Sequence, residues 1–259
     1  MLIIIPTPIG NLEDITIRAL KFLRNCDLIL AEDTRRTLKL ISRYSIKKPL
    51  FRYNEHSEKS VAEAMRLLLA GKNVALVSDS GTPCISDPGW KLVNLTRQNK
   101  IKVEVLPGPS ALTAVVSGSG WPVNSFVFLG FLPRSRGKIL KALKSVLETG
   151  RIAVLYESPY RLKNLVEIVS KEISPAAELA IPYRLKNLVE IVSKEISPAA
   201  ELAIAREISK VFEEWIIGRA EDILKDISGR NIKGEIAVLI RMNRKTVNNE
   251  SDEGKGSQF

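Results

Sequence analysis

Residues 73–89 read NVALVSDSGTPCISDPG. Five residues with an unbroken apolar core, Val74–Val77, are followed at once by a run of Ser, Asp, Gly, Thr and Pro. A short apolar run that stops at turn residues predicts a buried strand entering a loop. Helical periodicity resumes after Gly89, so the stretch is one strand–loop–helix unit. The same pattern recurs on either side. Leu2–Ile5, Asp27–Ala31 and Lys102–Leu106 are read as further buried strands, each leading through a polar or turn-rich segment into a helix. Such alternation predicts an α/β fold with parallel sheets covered by helices.

The pattern restarts after Gly118-Ser119-Gly120-Trp121-Pro122. Phe126–Phe131, Arg151–Tyr156, Glu201–Ala205 and Glu235–Arg241 form the second set of expected strands. The organisation expected is therefore two α/β domains, 1–117 and 118–243, joined near residues 112–122. The polar segment 244–259 reads as a disordered tail.

A 23-residue block, PYRLKNLVEIVSKEISPAAELAI, occupies 159–181 and recurs unchanged at 182–204. Each copy reads as one helix plus one strand, and Leu162, Leu165, Val166, Val169 and Ile173 form an apolar stripe in the first. Two identical copies in an otherwise non-repeating chain do not make a solenoid, which needs about three or more diverged repeats. They read as a recent or engineered duplication. The first copy follows Ser158, suited to an N-cap, with Pro159 at the first helical position. The second runs straight into Ala205-Arg206-Glu207. The expectation is that the helix of copy one and the strand of copy two hold the native places, with about Ser174–Ile196 extruded between them.

The chain has 259 residues, is 45% hydrophobic and carries a formal charge of +10. The basic excess lies in three runs without acidic residues, 35–48, 91–102 and 134–144. One such run is ordinarily a solvated helix face. Three of them on a +10 chain favour a polyanionic partner, nucleic acid ahead of membrane. No apolar run approaches the roughly 20 residues needed to cross a bilayer, and the opening apolar residues stop at Pro6 without a basic lead-in, unlike a signal peptide. Cys26 and Cys84 make no disulfide framework, as expected of a cytosolic chain. With His56 they are too few for an all-His/Cys zinc site, so no metal is expected.

In open α/β sheets, ligands sit beyond the carboxyl ends of the strands. Four loops are expected there: Pro6–Asn11, Ala31–Arg35, Ser78–Gly89 and Pro107–Ala111, the last turning into a helix with Ser110 as its cap. Their Gly and Pro content lets backbone groups approach a small molecule. None is a Walker loop or a G-x-G-x-x-G fingerprint. Any one of them is ordinary turn chemistry, whereas the set at four strand ends points to a ligand cleft.

Taken in order, PTPIGNLEDITIRAL (6–20), LILAEDTRRT (28–37), YNEHSE (53–58), VALVSDSGTPCISDPG (74–89), LPGPSALTA (106–114), GFLPR (130–134), YESPYRL (156–162) and AREISKVFEE (205–214) resemble the rRNA ribose methyltransferases of the tetrapyrrole methylase superfamily. The resemblance spans essentially 1–241. It implies two α/β domains with S-adenosylmethionine in the cleft between them, a cytoplasmic homodimer, and 2′-O-methylation of a cytidine in the decoding region of 16S rRNA. The cofactor positions it implies are Pro8, Gly10 and Asn11, then Gly81, Thr82 and Ile85, then Ser110 and Ala111, then Tyr156 and Ala205. Thr82 stands where relatives often have Asp, Tyr160 replaces a common His, and the duplication lies inside the second domain.

Methyl transfer to a ribose hydroxyl requires in-line alignment and is helped by a base as charge develops on oxygen. His56, Glu55, Asp33 and Glu207 are the candidates, with none singled out. Arg35, Arg36, Arg134, Arg136, Lys138 and Arg206 are candidates for RNA phosphates. Two other readings compete: a small-molecule methylase acting on a tetrapyrrole, and an RNA-binding protein inactivated by the duplication. A tetrapyrrole does not need this much positive charge.

Overall fold

The computed structural model describes residues 1–173 and 199–243. Its first sheet contains β1 (Leu2–Ile5), β2 (Leu28–Ala31), β3 (Leu50–Arg52), β4 (Val74–Val77) and β5 (Val103–Val105), in the order β3-β2-β4-β1-β5. All four pairings are parallel. The three inner strands are buried on both faces, which is why their sequences are continuous apolar runs. Helices α1 (Ile17–Asn25) and α2 (Thr34–Arg43) cover one face, and α3 (Glu58–Leu69) and α4 (Trp90–Gln98) the other. Three of them begin on side-chain caps: Thr16 accepts from the Ala19 N–H, Asp33 from Arg35 and Ser57 from Ser60.

The second sheet comprises β6 (Phe126–Phe131), β7 (Ile152–Glu157), β8 (Ala199–Arg206), β9 (Glu214–Arg219) and β10 (Ile236–Asn243), in the order β6-β7-β10-β8-β9. Here the expectation of parallel sheets is corrected. Only β6 and β7 are parallel, and the other three pairings are antiparallel. The physical reason lies in the connections. Residues 207–213 between β8 and β9 are too few for the crossover of about a dozen residues that parallel neighbours need. Strands β3 and β9, absent from the reading of the sequence, are the edge of one sheet and the edge of the other.

Helices α6 (Arg136–Leu147), α7 (Pro159–Ile168, extended by a π-turn over Val169–Ile173) and α8 (Ala220–Ile227) pack on one face of the second sheet. The opposite face receives α5 (Ala111–Gly118), through Leu112, Val115 and Val116. The five stripe residues of copy one, Leu162, Leu165, Val166, Val169 and Ile173, are all buried in the same core as Ala200, Leu202 and Ile204 of copy two. Copy one thus supplies a core helix and copy two a central strand. Between Ile173 and Ala199 lie 198 − 173 = 25 residues, one 23-residue period plus a Ser-Pro. The expected extrusion of 174–196 and the expected tail at 244–259 lie outside the described residues. Ser158 stands at the N-cap of α7 with Pro159 behind it, but its side chain makes no capping bond; its N–H instead donates to Glu157 Oε1 at 2.7 Å.

Candidate functional site

The loop 78–89 is the hub of the site. Thr7 and Gly81 exchange backbone hydrogen bonds at 2.9 and 3.0 Å, and the Thr7 hydroxyl donates to the Ser78 carbonyl at 3.0 Å. The Ser78 hydroxyl donates to the Gly81 carbonyl, closing the turn on itself. Asp79 Oδ1 accepts the Asp33 N–H at 3.0 Å, the Thr82 hydroxyl donates to the Pro109 carbonyl at 3.1 Å, and Glu55 Oε2 accepts the Gly89 N–H at 2.7 Å. One loop therefore ties together the ends of β1, β2 and β5 and the turn before α3. The side chains of Ser78, Asp79 and Thr82 are spent on backbone, which braces the floor of the cleft.

The second half closes over this floor. A cleft of about 340 Å³ is lined from the first half by Ile9, Arg36, Asp79, Thr82, Ile85 and Asp87, by Ser110 and Ala111, and from the second half by Phe131, Tyr156, Glu235 and Ala237 among others. The halves meet closely at Gly10, where a Cβ would stand 2.5 Å from Lys210 Cγ and 2.7 Å from the Ile208 carbonyl oxygen. Only a residue without a side chain allows that approach.

Of the ten cofactor positions implied by resemblance, Thr82, Ile85, Ser110, Ala111 and Tyr156 line the cleft. Gly81 lies just beneath, in the bridge to Thr7. Pro8 is buried, Gly10 forms the contact with the second half, and Asn11 caps a short 3-10 helix over Leu12–Asp14. Ala205 is fully buried in β8, one strand behind Ala237, which lines the cleft in its stead. Ser110 stands at the N-cap of α5 without capping it. Its hydroxyl and the Leu112 N–H instead interact with the Tyr156 hydroxyl, whose pKa burial pushes up.

The four base candidates stand apart. His56 is exposed on a turn, its N–H donating to Asn54 Oδ1. Glu55 is spent on Gly89. Asp33 accepts from the Arg35 side chain at 3.0 and 2.7 Å and from its backbone N–H, and these bonds hold its carboxyl well below the usual range. For Glu207, burial opposes ionisation, but the Glu235 N–H and the charges of Lys210 and Arg206 outweigh it and keep its pKa low. None of the four lines the cleft.

The reading of the sequence passed over Asp87. Burial, the nearby Glu32, and then Asp79 and Glu235 push its carboxyl up to about 6, with the Ser78 hydroxyl partly offsetting them. Arg36 is the cation facing this group, 3.7 Å from Asp79 and 4.0 Å from Glu235. Among the described residues, no group of three or more His, Cys, Asp or Glu is arranged to hold a metal ion. Little in the local sequence marks Asp87, because burial and two of its perturbing neighbours, Glu32 and Glu235, come from other parts of the chain, with only Asp79 in the same loop.

The phosphate candidates also divide. Arg35 is turned onto Asp33. Arg206 is engaged by Glu214 at 3.1 Å and by the Lys233 carbonyl, and Arg136 pairs with Glu172. Arg134 and Lys138 are exposed, three and seven residues after the cleft-lining Phe131, and Arg36 lines the cleft itself.

The profile of the tetrapyrrole (corrin/porphyrin) methylases matches residues 1–224. The chain belongs to the tetrapyrrole methylase family. This methylase is 44% identical over 240 residues, 92% of its own chain and 97% of the relative, to a protein of Thermotoga maritima named ribosomal RNA small subunit methyltransferase I. It is 42% identical, over 96% of its chain and 99% of the relative, to the protein of that name from a Hydrogenobaculum species. Among solved structures it shares the fold of a uroporphyrin-III C-methyltransferase from Thermus thermophilus in complex with S-adenosyl homocysteine, at a TM-score of 0.57 and 16% identity, covering 92% of this chain and 96% of that one.

Proposed function

We propose that this tetrapyrrole methylase transfers a methyl group from S-adenosylmethionine to small-subunit rRNA, and that the acceptor is the 2′-oxygen of a cytidine. The observation that carries the reading is the fusion of four loops and the second sheet into one cleft that gathers Thr82, Ile85, Ser110, Ala111 and Tyr156. The relatives named for small-subunit rRNA at 42 and 44% identity favour it over a tetrapyrrole substrate, since the uroporphyrin enzyme is 16% identical. The resemblance also supports a homodimer acting in the cytoplasm, and two domains meeting near residues 112–122. No helix among the described residues is long and apolar enough to cross a membrane.

The cleft suits the cofactor chemically. Ile9, Ile85, Ile208 and Ala237 offer apolar walls for a nucleoside, while Asp79, Asp87 and Glu235 offer negative charge to a cationic sulfonium and ammonium. When bound, S-adenosylmethionine supplies an electrophilic methyl carbon. The residues of the chain then have two tasks. Thr82, Ser110 and the loop backbone orient the reactants on a floor braced by hydrogen bonds. Asp87, ionised above about pH 6, accepts the hydroxyl proton as the carbon–oxygen bond forms. Arg36 balances the charge of the neighbouring carboxylates and can meet a phosphate at the cleft mouth.

The test is calorimetric titration of the chain with S-adenosylmethionine, beside a version lacking residues 182–204, followed by labelled-methyl transfer to 16S rRNA. Binding by both and transfer to the RNA support the reading. Binding only by the shortened chain would show that the duplication breaks the site, and binding by neither would overturn the enzyme.

A further inference from the structure

Phe131 is a large apolar side chain left 61% exposed at the rim of the cleft it lines. Its position is built rather than incidental. Along β6, Phe128 is opposite Val154, yet Phe131 is opposite Tyr156, so β6 holds one extra residue over this span. Gly130, at φ +61°, sits in that bulge. In an unbroken register, residue 130 would face Tyr156 and Phe131 would point with Leu155 toward the helix layer. The bulge turns the ring to the cleft face instead, a use of bulges near functional sites.

The ring is also held. Phe128, Tyr156 and Phe131 form a chain of edge-to-face contacts, with centroids 5.0 and 5.7 Å apart, running from the core outward. The following residues are pinned by Arg161, which donates to the carbonyls of Leu132 at 3.1 Å and Pro133 at 2.8 Å. Arg161 is itself fixed by the buried carboxylate of Glu157 at 3.2 Å. Arg134 and Lys138 stand exposed three and seven residues further on.

We propose that Phe131 is the platform on which an unpaired base of the RNA substrate stacks, while Arg134 and Lys138 take the adjoining phosphates. An exposed aromatic ring packed on its inner edge and followed by exposed cations is the chemistry that recognises a splayed single-stranded nucleotide. Sequence-specific RNA recognition targets unpaired nucleotides, whose bases can be splayed out and stacked on an aromatic side chain. The inference rests on the rRNA reading above.

The test compares Phe131→Ala, Phe131→Leu and Phe131→Tyr, all at an exposed position. Steady-state methylation of 16S rRNA is measured together with quenching of a single-stranded RNA oligonucleotide carrying one pyrrolo-cytosine. Stacking predicts a rise of about tenfold or more in KM for RNA with alanine and with leucine, recovery with tyrosine, and loss of quenching in parallel. S-adenosylmethionine affinity stays within twofold. An unchanged KM in Phe131→Ala, or recovery by leucine, overturns the stacking while leaving the rRNA reading intact. A comparable loss of cofactor affinity assigns the ring to the cofactor and overturns it too. Failure of the unaltered chain to methylate rRNA overturns the reading and the stacking together.

Discussion

The two sheets reach the same cleft in different ways. In the first, every strand is parallel, so each delivers its carboxyl end to one edge, and the Gly- and Pro-rich loops that follow are laced into a floor around Ser78–Gly89. In the second, β6, β7 and β8 run toward the cleft while β9 and β10 run away from it. What that sheet offers is therefore mixed: a strand end carrying Phe131, a strand-to-helix turn at Tyr156–Pro159, and the beginning of β10 at Ile236–Ala237. Most of the hydrogen-bonded loops and carboxylates come from the first half, with Glu235 added by the second, and the exposed ring and cations after β6 come from the second, with Arg36 added by the first. On the proposal above, the chemistry lies with the floor and the recognition of RNA with the rim.

That division can be broken most sharply at Asp87. Replacing it with Asn is expected to lower kcat by about 10²-fold or more with cofactor affinity retained. In the unaltered chain, kcat should fall as pH drops through about 6, where the carboxyl takes up its proton, and the variant should lack that limb. The sign for stability runs the other way. A carboxyl whose pKa rises from 3.8 to about 6 on folding favours the fold at low pH, and that contribution is lost as pH climbs between those values. Asp87→Asn should therefore raise Tm at pH 7. A lower Tm together with an unchanged pH profile would assign the carboxylate a structural role.

Gly10 comes next, as the seam between floor and rim. The added methyl of Gly10→Ala must displace Lys210 or the backbone at 208–209. A destabilisation of about 1–3 kcal/mol is expected, typical of overpacking, with kcat/KM reduced because the halves are held apart. Thermal melting and steady-state kinetics check both.

Smaller effects fall on the rim cations. Arg134→Ala and Lys138→Ala are each expected to lower the slope of log affinity for RNA against log salt by about one, leaving cofactor binding alone. Titration at several salt concentrations measures this directly. An equal loss at both reactants would dissolve the division between floor and rim. The removal of residues 182–204 is expected to leave the cleft chemistry as it is and to act on stability alone. Helix α7 and strand β8 come from different copies, and the shortened chain still joins the two by Ser-Pro. Shortening the link from 25 residues to 2 is between three and four halvings, each worth about 0.6 kcal/mol of loop-closure entropy, so Tm should rise by several degrees, with cofactor affinity unchanged.

The same contrast governs what the sequence disclosed. Strands buried on both faces were legible almost to the residue, because burial demands unbroken apolar runs such as Leu2–Ile5 and Val74–Val77. The edge strands were not. Leu50–Arg52 is three residues long, and Glu214–Arg219 carries a charge at each end and a glycine between, with no buried position. Strand direction is not written in apolar content either; the short link 207–213 was the available signal for a mixed second sheet. The site divides similarly. Thr82, Ile85, Ser110, Ala111 and Tyr156 carried a local motif and line the cleft. Asp87 sits in such a motif, but its raised pKa depends on burial and on Glu32 and Glu235, which only folding brings near, and less on Asp79 of its own loop. Phe131 depends on a one-residue bulge, invisible to an alternation pattern.

The central claim is that the cleft methylates a ribose oxygen of small-subunit rRNA. Its most direct test is incubation of the full chain with S-adenosylmethionine and unmodified 30S subunits or 16S rRNA, followed by nuclease digestion and mass spectrometry of the nucleosides. The account predicts the appearance of 2′-O-methylcytidine, reduced about 10²-fold in rate by Asp87→Asn. A methyl group found on a base, or none at all while the cofactor still binds, would contradict it.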